Sequence, residues 1–142
     1  MYKIVVFFIM VTTLIALAGC DLGTSPNQAG NGSNVVDSTF ASGVQPILTN
    51  NCAFSGCHGS SGAQQGLILS KGKAYDNIVN VNSREASQYK LIDPGNPGSS
   101  FLYLKLKSNP PIGRRMPYGG PYLSGTQMTS IQKWIEAGAK DN

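Results

Sequence analysis

Cys52-Ala53-Phe54-Ser55-Gly56-Cys57-His58-Gly59 is the stretch on which this chain turns. Two cysteines with four residues between them are followed directly by the chain's one histidine. Two thiols and an adjacent imidazole are the groups that attach a c-type haem. The thiols add to the porphyrin vinyl groups, and the imidazole reaches the iron from one side. The usual spacing leaves two residues between the cysteines, so this is a C-x4-C-H variant. The vinyl positions are fixed, and the longer peptide must bulge between its anchors. Ser55-Gly56 suits that bulge, because Gly tolerates positive φ. Phe54 belongs either over an exposed edge of the bound group or in the core.

Three other chemistries use the same residues. Cys52 and Cys57 can close a disulfide, which leaves His58 without a role. A structural zinc needs four ligands; Cys52, Cys57 and His58 supply three, and no carboxylate is signalled as a fourth. A nucleophilic Cys–His pair usually draws its members from distant parts of the sequence.

Upstream, Lys3 precedes an apolar run from Ile4 to Ala18, interrupted only by Thr12 and Thr13. The run is short for a membrane span and reads as an export signal. It closes on Leu17-Ala18-Gly19-Cys20, which resembles a bacterial lipobox. That implies a signal peptide over 1–19 and a lipidated Cys20. Cys52 and Cys57 then remain as a pair in a compartment that permits disulfides and haem attachment. From Asp21 to Val36 the chain is polar and rich in Gly, Asn and Ser. With the lipidated cysteine, residues 20–37 read as a flexible tether spanning on the order of 20 Å. The expected place is therefore the cell envelope, with the lipid in a bacterial membrane and a domain over 38–142 facing the periplasm or the exterior.

About 105 residues suffice for one domain. With 17 Gly and 8 Pro in the chain, that domain is loop-rich, and a covalently held apolar group would give it a centre. The formal charge is +4. Loss of Lys3 and addition of two propionates bring it to about +1. Arg114-Arg115 is the only adjacent basic pair, so no nucleic-acid partner is expected. No acid/base constellation accompanies Glu85 or Glu136, and neither an enzyme nor a small-molecule substrate is expected. Lys105, Lys107, Arg114 and Arg115 read as a solvated face, or as a ring that steers acidic partners.

The periodicity is all-α. A first helix is expected over 39–50, capped by Ser38, with Phe40, Val44, Ile47 and Leu48 on one face. Pro46 inside it favours a shorter helix over 45–51. Residues 59–72 read as a loop and Ala74–Val79 as a short helix. Asn96-Pro97 should open a middle helix running to about Lys107, although a strand over 101–106 is also compatible. The segment from Ser108 to Tyr122 is too rich in Pro and Gly for regular structure. Ser124-Gly-Thr-Gln127 reads as a capping box. After it, Met128, Ile131, Trp134 and Ile135 make one stripe that ends at Gly138.

With one histidine, a second iron ligand must be another residue type. Met116, in the irregular loop Gly113-Arg114-Arg115-Met116-Pro117-Tyr118, is the candidate, and Pro117 restricts it to extended backbone. Met128 competes, but its place on the apolar stripe points to packing.

The chain resembles small monohaem c-type cytochromes of the class I kind, especially those of secreted and lipid-anchored bacterial proteins. Matching stretches are Val44-Gln45-Pro46-Ile47-Leu48, Asn51-Cys52, Cys57-His58-Gly59, Gly66-Leu67-Ile68-Leu69, Leu91-Ile92-Asp93-Pro94-Gly95-Asn96-Pro97 with Ser100-Phe101-Leu102-Tyr103, Arg115-Met116-Pro117, Leu123-Ser124 and Ile131 to Ala139. They cover about residues 38–140. The resemblance implies a cytochrome c-like fold of about three to four helices around one covalent haem c. It further implies thioethers at Cys52 and Cys57, His58 as proximal ligand and Met116 as distal ligand. It pairs an aromatic of the first helix with one of the last, here Phe40 and Trp134. Filled axial positions suit electron transfer to redox partner proteins of the envelope. The alternatives are a haem-based sensor or peroxidase-like domain with a labile sixth ligand, and a haem-free exported binding module stapled by Cys52 and Cys57.

Overall fold

Phe40, Val44, Ile47 and Leu48 do share a buried face, but across a change of helix type. In the computed structural model, residues 36–142 are described. The expected signal peptide, Cys20 and nearly all of the tether lie outside them. A π-helical turn, Phe40–Val44, runs into α1, Gln45–Asn51. Pro46 has no N–H to donate and sits in the first turn of α1, where none is needed. The wider turn before it closes through Val44 N to Thr39 O at 3.0 Å and Gln45 N to Phe40 O. Ser38 is not the cap. Thr39 holds that position, and Asp37 Oδ1 accepts from Thr39 N at 2.9 Å and from Thr39 Oγ1 at 2.7 Å. These bonds, with one from Ser42, hold the Asp37 carboxyl below its ordinary range.

The rest is all-α with long connections. A 3-10 turn at Gln64–Gly66 precedes α2, Ala74–Ile78, and a second at Pro97–Ser99 precedes α3, Phe101–Leu106. The middle helix therefore does not start at Pro97. Asn96 makes no cap bond there; its side chain donates to Asp93 Oδ2 and Pro94 O. Ser100 breaks the two pieces apart. Fully buried, it accepts from Asp93 N at 2.9 Å and donates to Asn96 O, 2.9 Å away. Among the described residues, pairing of the β kind is limited to isolated bridges, Val79 with Ile92, Asn82 with Lys90 and Lys90 with Ser100. No described helix is long and apolar enough to cross a membrane.

The last helix, α4, Gly125–Glu136, has the expected ends. Ser124 Oγ accepts from Gln127 N at 3.2 Å, and Gln127 Oε1 accepts from Ser124 N at 2.9 Å. At the other end Gly138, at φ +93°, donates to Ile135 O while Ala139 donates to Trp134 O, a Schellman closure. Ile131, Trp134 and Ile135 are buried and Met128 is half-buried.

The two ends of the domain meet in the core. Phe40 lies 5.2 Å from Trp134, centroid to centroid, and Tyr75 of α2 meets Phe40 edge-on, also at 5.2 Å. The first helical turn leaves N–H groups without intrahelical partners. Asn142 takes two of them, Phe40 N on its side-chain oxygen at 2.9 Å and Ala41 N on its backbone oxygen at 2.7 Å.

Urea unfolding of the protein should separate these two contributions. Trp134→Ala should cost about 3–5 kcal/mol, as large aromatic truncations in cores do. Asn142→Ala removes one cap acceptor and should cost about 1 kcal/mol. A Trp134→Ala loss below that of Asn142→Ala would show that the aromatic cluster is not the centre of the core.

Candidate functional site

The helix that carries the aromatic face also carries the cysteine loop. Leu48 O, near the end of α1, accepts from Cys52 N at 2.9 Å and from Ala53 N at 3.0 Å. The chain then doubles back. Cys57 N donates to Phe54 O at 3.0 Å, His58 N to Cys52 O at 3.1 Å and Gly59 N to Phe54 O at 2.9 Å. The His58 bond brings the two ends of the motif together in spite of the four residues between the cysteines. Gly56 has φ +77°, so the bulge lies where the sequence placed it. Gly59 is needed for a different reason. A Cβ there would fall 2.8 Å from Phe54 O and 2.9 Å from Phe54 C, against rigid backbone. Phe54 is not a core residue: it is 53% exposed and lies on the rim of a cavity.

That cavity has a volume of about 1030 Å³, at the upper end of ordinary ligand sites. Cys52, Cys57 and His58 line it, as do Leu48, Leu67, Leu69, Leu91, Phe101, Leu102, Leu106 and Leu123. Met116 and Pro117 line it as well. Met128 does not; it packs against the core instead. Of the two candidate methionines, only Met116 reaches the cavity of the cysteines and histidine.

The donor chemistry is specific. His58 Nδ1 lies 3.3 Å from Leu67 O. A carbonyl can only accept, so Nδ1 carries the proton, and the neutral ring keeps its lone pair on Nε2. Burial lowers the His58 pKa, against smaller opposing effects of the Leu67 and Gln64 backbone, and so favours that neutral form. Leu69 N donates to His58 O at 2.7 Å, and buried Gln45 donates to Leu69 O at 3.1 Å, which ties the histidine's segment to α1. Cys52 and Cys57 are free thiols, Cys52 half-buried and Cys57 exposed. Burial, and secondarily Cys57, push the Cys52 pKa up from 9.0 to about 11. A thiol kept protonated at neutral pH is the opposite of an activated nucleophile. Among the described residues, no three His, Cys, Asp or Glu side chains converge as a metal cluster, so the zinc arrangement is not assembled.

A large apolar cavity, two unpaired thiols on its wall, a neutral imidazole and one thioether fit a haem. They do not fit a bare ion, which would need convergent ligands and little space.

Three wall residues were not legible as such. Arg84 and Glu85, in what reads as a polar loop, line the cavity, and so does Lys105, which is only 7% exposed. Lys105 is therefore not part of a solvated face. Its spacing from Phe101 and Leu102, i+4 and i+3 on α3, was the available signal. Lys107, Arg114 and Arg115 do reach the surface region. Arg114 and Arg115 lie over the rings of Tyr118 and Tyr122, at 5.1 and 3.8 Å.

No family model, curated protein or solved structure matches the chain.

Two measurements on the protein with both thiols free test this geometry. Gly59→Ala should lower stability by about 1–3 kcal/mol, the usual range for overpacking; an unchanged midpoint would mean that the loop relaxes freely. Iodoacetamide at pH 8 should label Cys57 well before Cys52, because a pKa of about 11 leaves on the order of a hundredth of the ordinary thiolate at Cys52. Equal rates would contradict the burial of Cys52.

Proposed function

We propose that this protein is a one-electron carrier, with a single c-type haem in a small cytochrome c-like domain and an N-terminal lipid at Cys20. The observation that carries this reading is the composition of one cavity wall. Residues far apart in sequence, Cys52, Cys57 and His58 together with Met116, line the same apolar space, and the competing Met128 does not. In this reading Cys52 and Cys57 hold the haem through thioethers, and His58 Nε2 and Met116 Sδ are its iron ligands. When bound, the group supplies one-electron oxidation and reduction near the surface.

The chain's own residues account for the other requirements. Leu67 O fixes the His58 ring through Nδ1 and leaves Nε2 as the donor atom. The leucines that line the cavity exclude water, which raises the potential of a Met/His centre. The aromatic pair Phe40–Trp134 that the family resemblance implies is in place, at 5.2 Å. Partners are redox proteins of the envelope, and the lipid keeps the domain near the membrane.

The test is the visible spectrum of the full chain made with haem-attachment machinery, oxidised and reduced, with a pyridine haemochrome assay. Covalent haem with a low-spin spectrum and the weak far-red band of a Met–iron bond is expected. Met116→Ala should abolish that band, whereas Met128→Leu should keep it. A covalent haem without the band would move the reading to a sensor or peroxidase-like site. Absence of covalent haem, with a mass two hydrogen atoms lower than that of the dithiol, would establish the disulfide-stapled module instead.

A further inference from the structure

We infer that Lys105 and Glu85 form a latch that sets the position of the loop carrying Met116. Met116's part as a ligand rests on the function proposed above; the latch itself rests on the packing alone.

The loop has no helix or strand of its own, so its place must be fixed by bonds to its neighbours. The end of α3 offers them, because the last carbonyls of a helix lack intrahelical partners. Lys105 O accepts from Met116 N at 2.8 Å, and Leu106 O accepts from Arg115 Nε at 3.0 Å. The same Lys105 then reaches the loop a second time through its side chain. Its Nζ donates to Ile112 O at 3.1 Å and to Glu85 Oε1 at 3.0 Å. One buried residue thus holds the loop at two points, positions 112 and 116. Gly113 lies directly on the pair: a Cβ there would fall 2.6 Å from Lys105 Nζ and still closer to Glu85 Oε1.

Glu85 is itself held in place. Ser83 Oγ accepts from Ala86 N at 3.1 Å, and Ser83 N donates to Tyr89 O at 2.9 Å, which folds residues 83–89 into a closed turn. Tyr89 stacks on Phe101 at 5.6 Å, and Lys90 O accepts from Phe101 N at 2.9 Å. Glu85, Lys105 and the 112–116 segment therefore meet at one junction in the cavity wall. A buried ammonium is costly unless paired, so the energy of this arrangement is concentrated in the groups that hold the loop. Lys105 is a positioning residue: it acts on the site through the backbone of Met116.

The experiment uses the full chain prepared with haem-attachment machinery, as wild type, Lys105→Met and Glu85→Gln. Three quantities are read: the rate of tryptic cleavage after Arg114 and Arg115, the intensity of the far-red Met–iron band with the reduction potential, and the far-UV CD unfolding midpoint. Lys105→Met keeps the length of the side chain and the backbone bond to Met116 but removes the charge. Cleavage should accelerate about tenfold, the change expected on losing one charge-assisted hydrogen bond. The band should weaken and the potential fall while the CD midpoint stays within a few degrees. Glu85→Gln should change the same quantities in the same direction, by less. Unchanged cleavage in both variants would overturn the latch. Faster cleavage with an unchanged band and potential would overturn the positioning of Met116. If the wild type binds no haem, the electron-carrier reading fails, and cleavage alone still decides whether the pair holds the loop. If Lys105→Met unfolds globally, Glu85→Gln decides on the same criteria.

Discussion

The contact of Phe40 with Trp134 is the constraint on which this domain depends. The helices are short, and isolated helices of this length do not persist in water. They exist because each buries a face against another. Phe40 and Trp134 join the first helical segment to the last, and Tyr75 adds α2 from the side. With the ends fixed to one another, the long segments between them become loops closed at both ends, and the wall of a cavity can be made from loop rather than from helix.

That wall follows a consistent logic. Loop backbone carries polar groups that must find partners when buried. Here the partners are the unfilled ends of helices. Leu48 O near the end of α1 receives the cysteine loop, and the carbonyls of Lys105 and Leu106 at the end of α3 receive the Met116 loop. Each short helix works less as a strut than as a terminus, and the cavity lies between two such termini. The cysteine loop begins directly after α1, whereas Met116, ten residues beyond the end of α3, is brought back to that helix end by its backbone bond.

The features legible in the sequence were those fixed by local chemistry. The capping box at Ser124 and Gln127, the stop at Gly138, the apolar stripe through Ile131 and Trp134, and the bulge at Gly56 each depend on a few adjacent residues. The features that were missed depend on packing between segments. Ser38 reads as a cap, yet Asp37 and Asn142 supply the bonds. Asn96-Pro97 reads as a helix start, yet the buried Ser100 hydroxyl turns the chain and delays the helix to Phe101. Pro46 pointed to a shorter helix over 45–51, and α1 has those bounds; what the local sequence did not show is the π-helical turn that precedes it. Lys105 reads as surface because lysines usually are, and only the approach of Glu85 and Ile112 makes its burial possible. Of the candidate site, the cysteines, His58 and Met116 were visible as residue types in a pattern. Their sharing one cavity is a property of the fold.

The bonds from Phe40 and Ala41 to Asn142 also bear on the order of events during synthesis. They join positions about a hundred residues apart. During synthesis those N–H groups have no partner, and Phe40 has no Trp134 to pack against, until the segment holding Trp134 and Asn142 has been made. Early segments are then left without the contacts that would lock them, in keeping with the slow closure of long-range contacts. The arrangement also leaves Cys52 and Cys57 open to modification for as long as the C-terminal helix has yet to arrive.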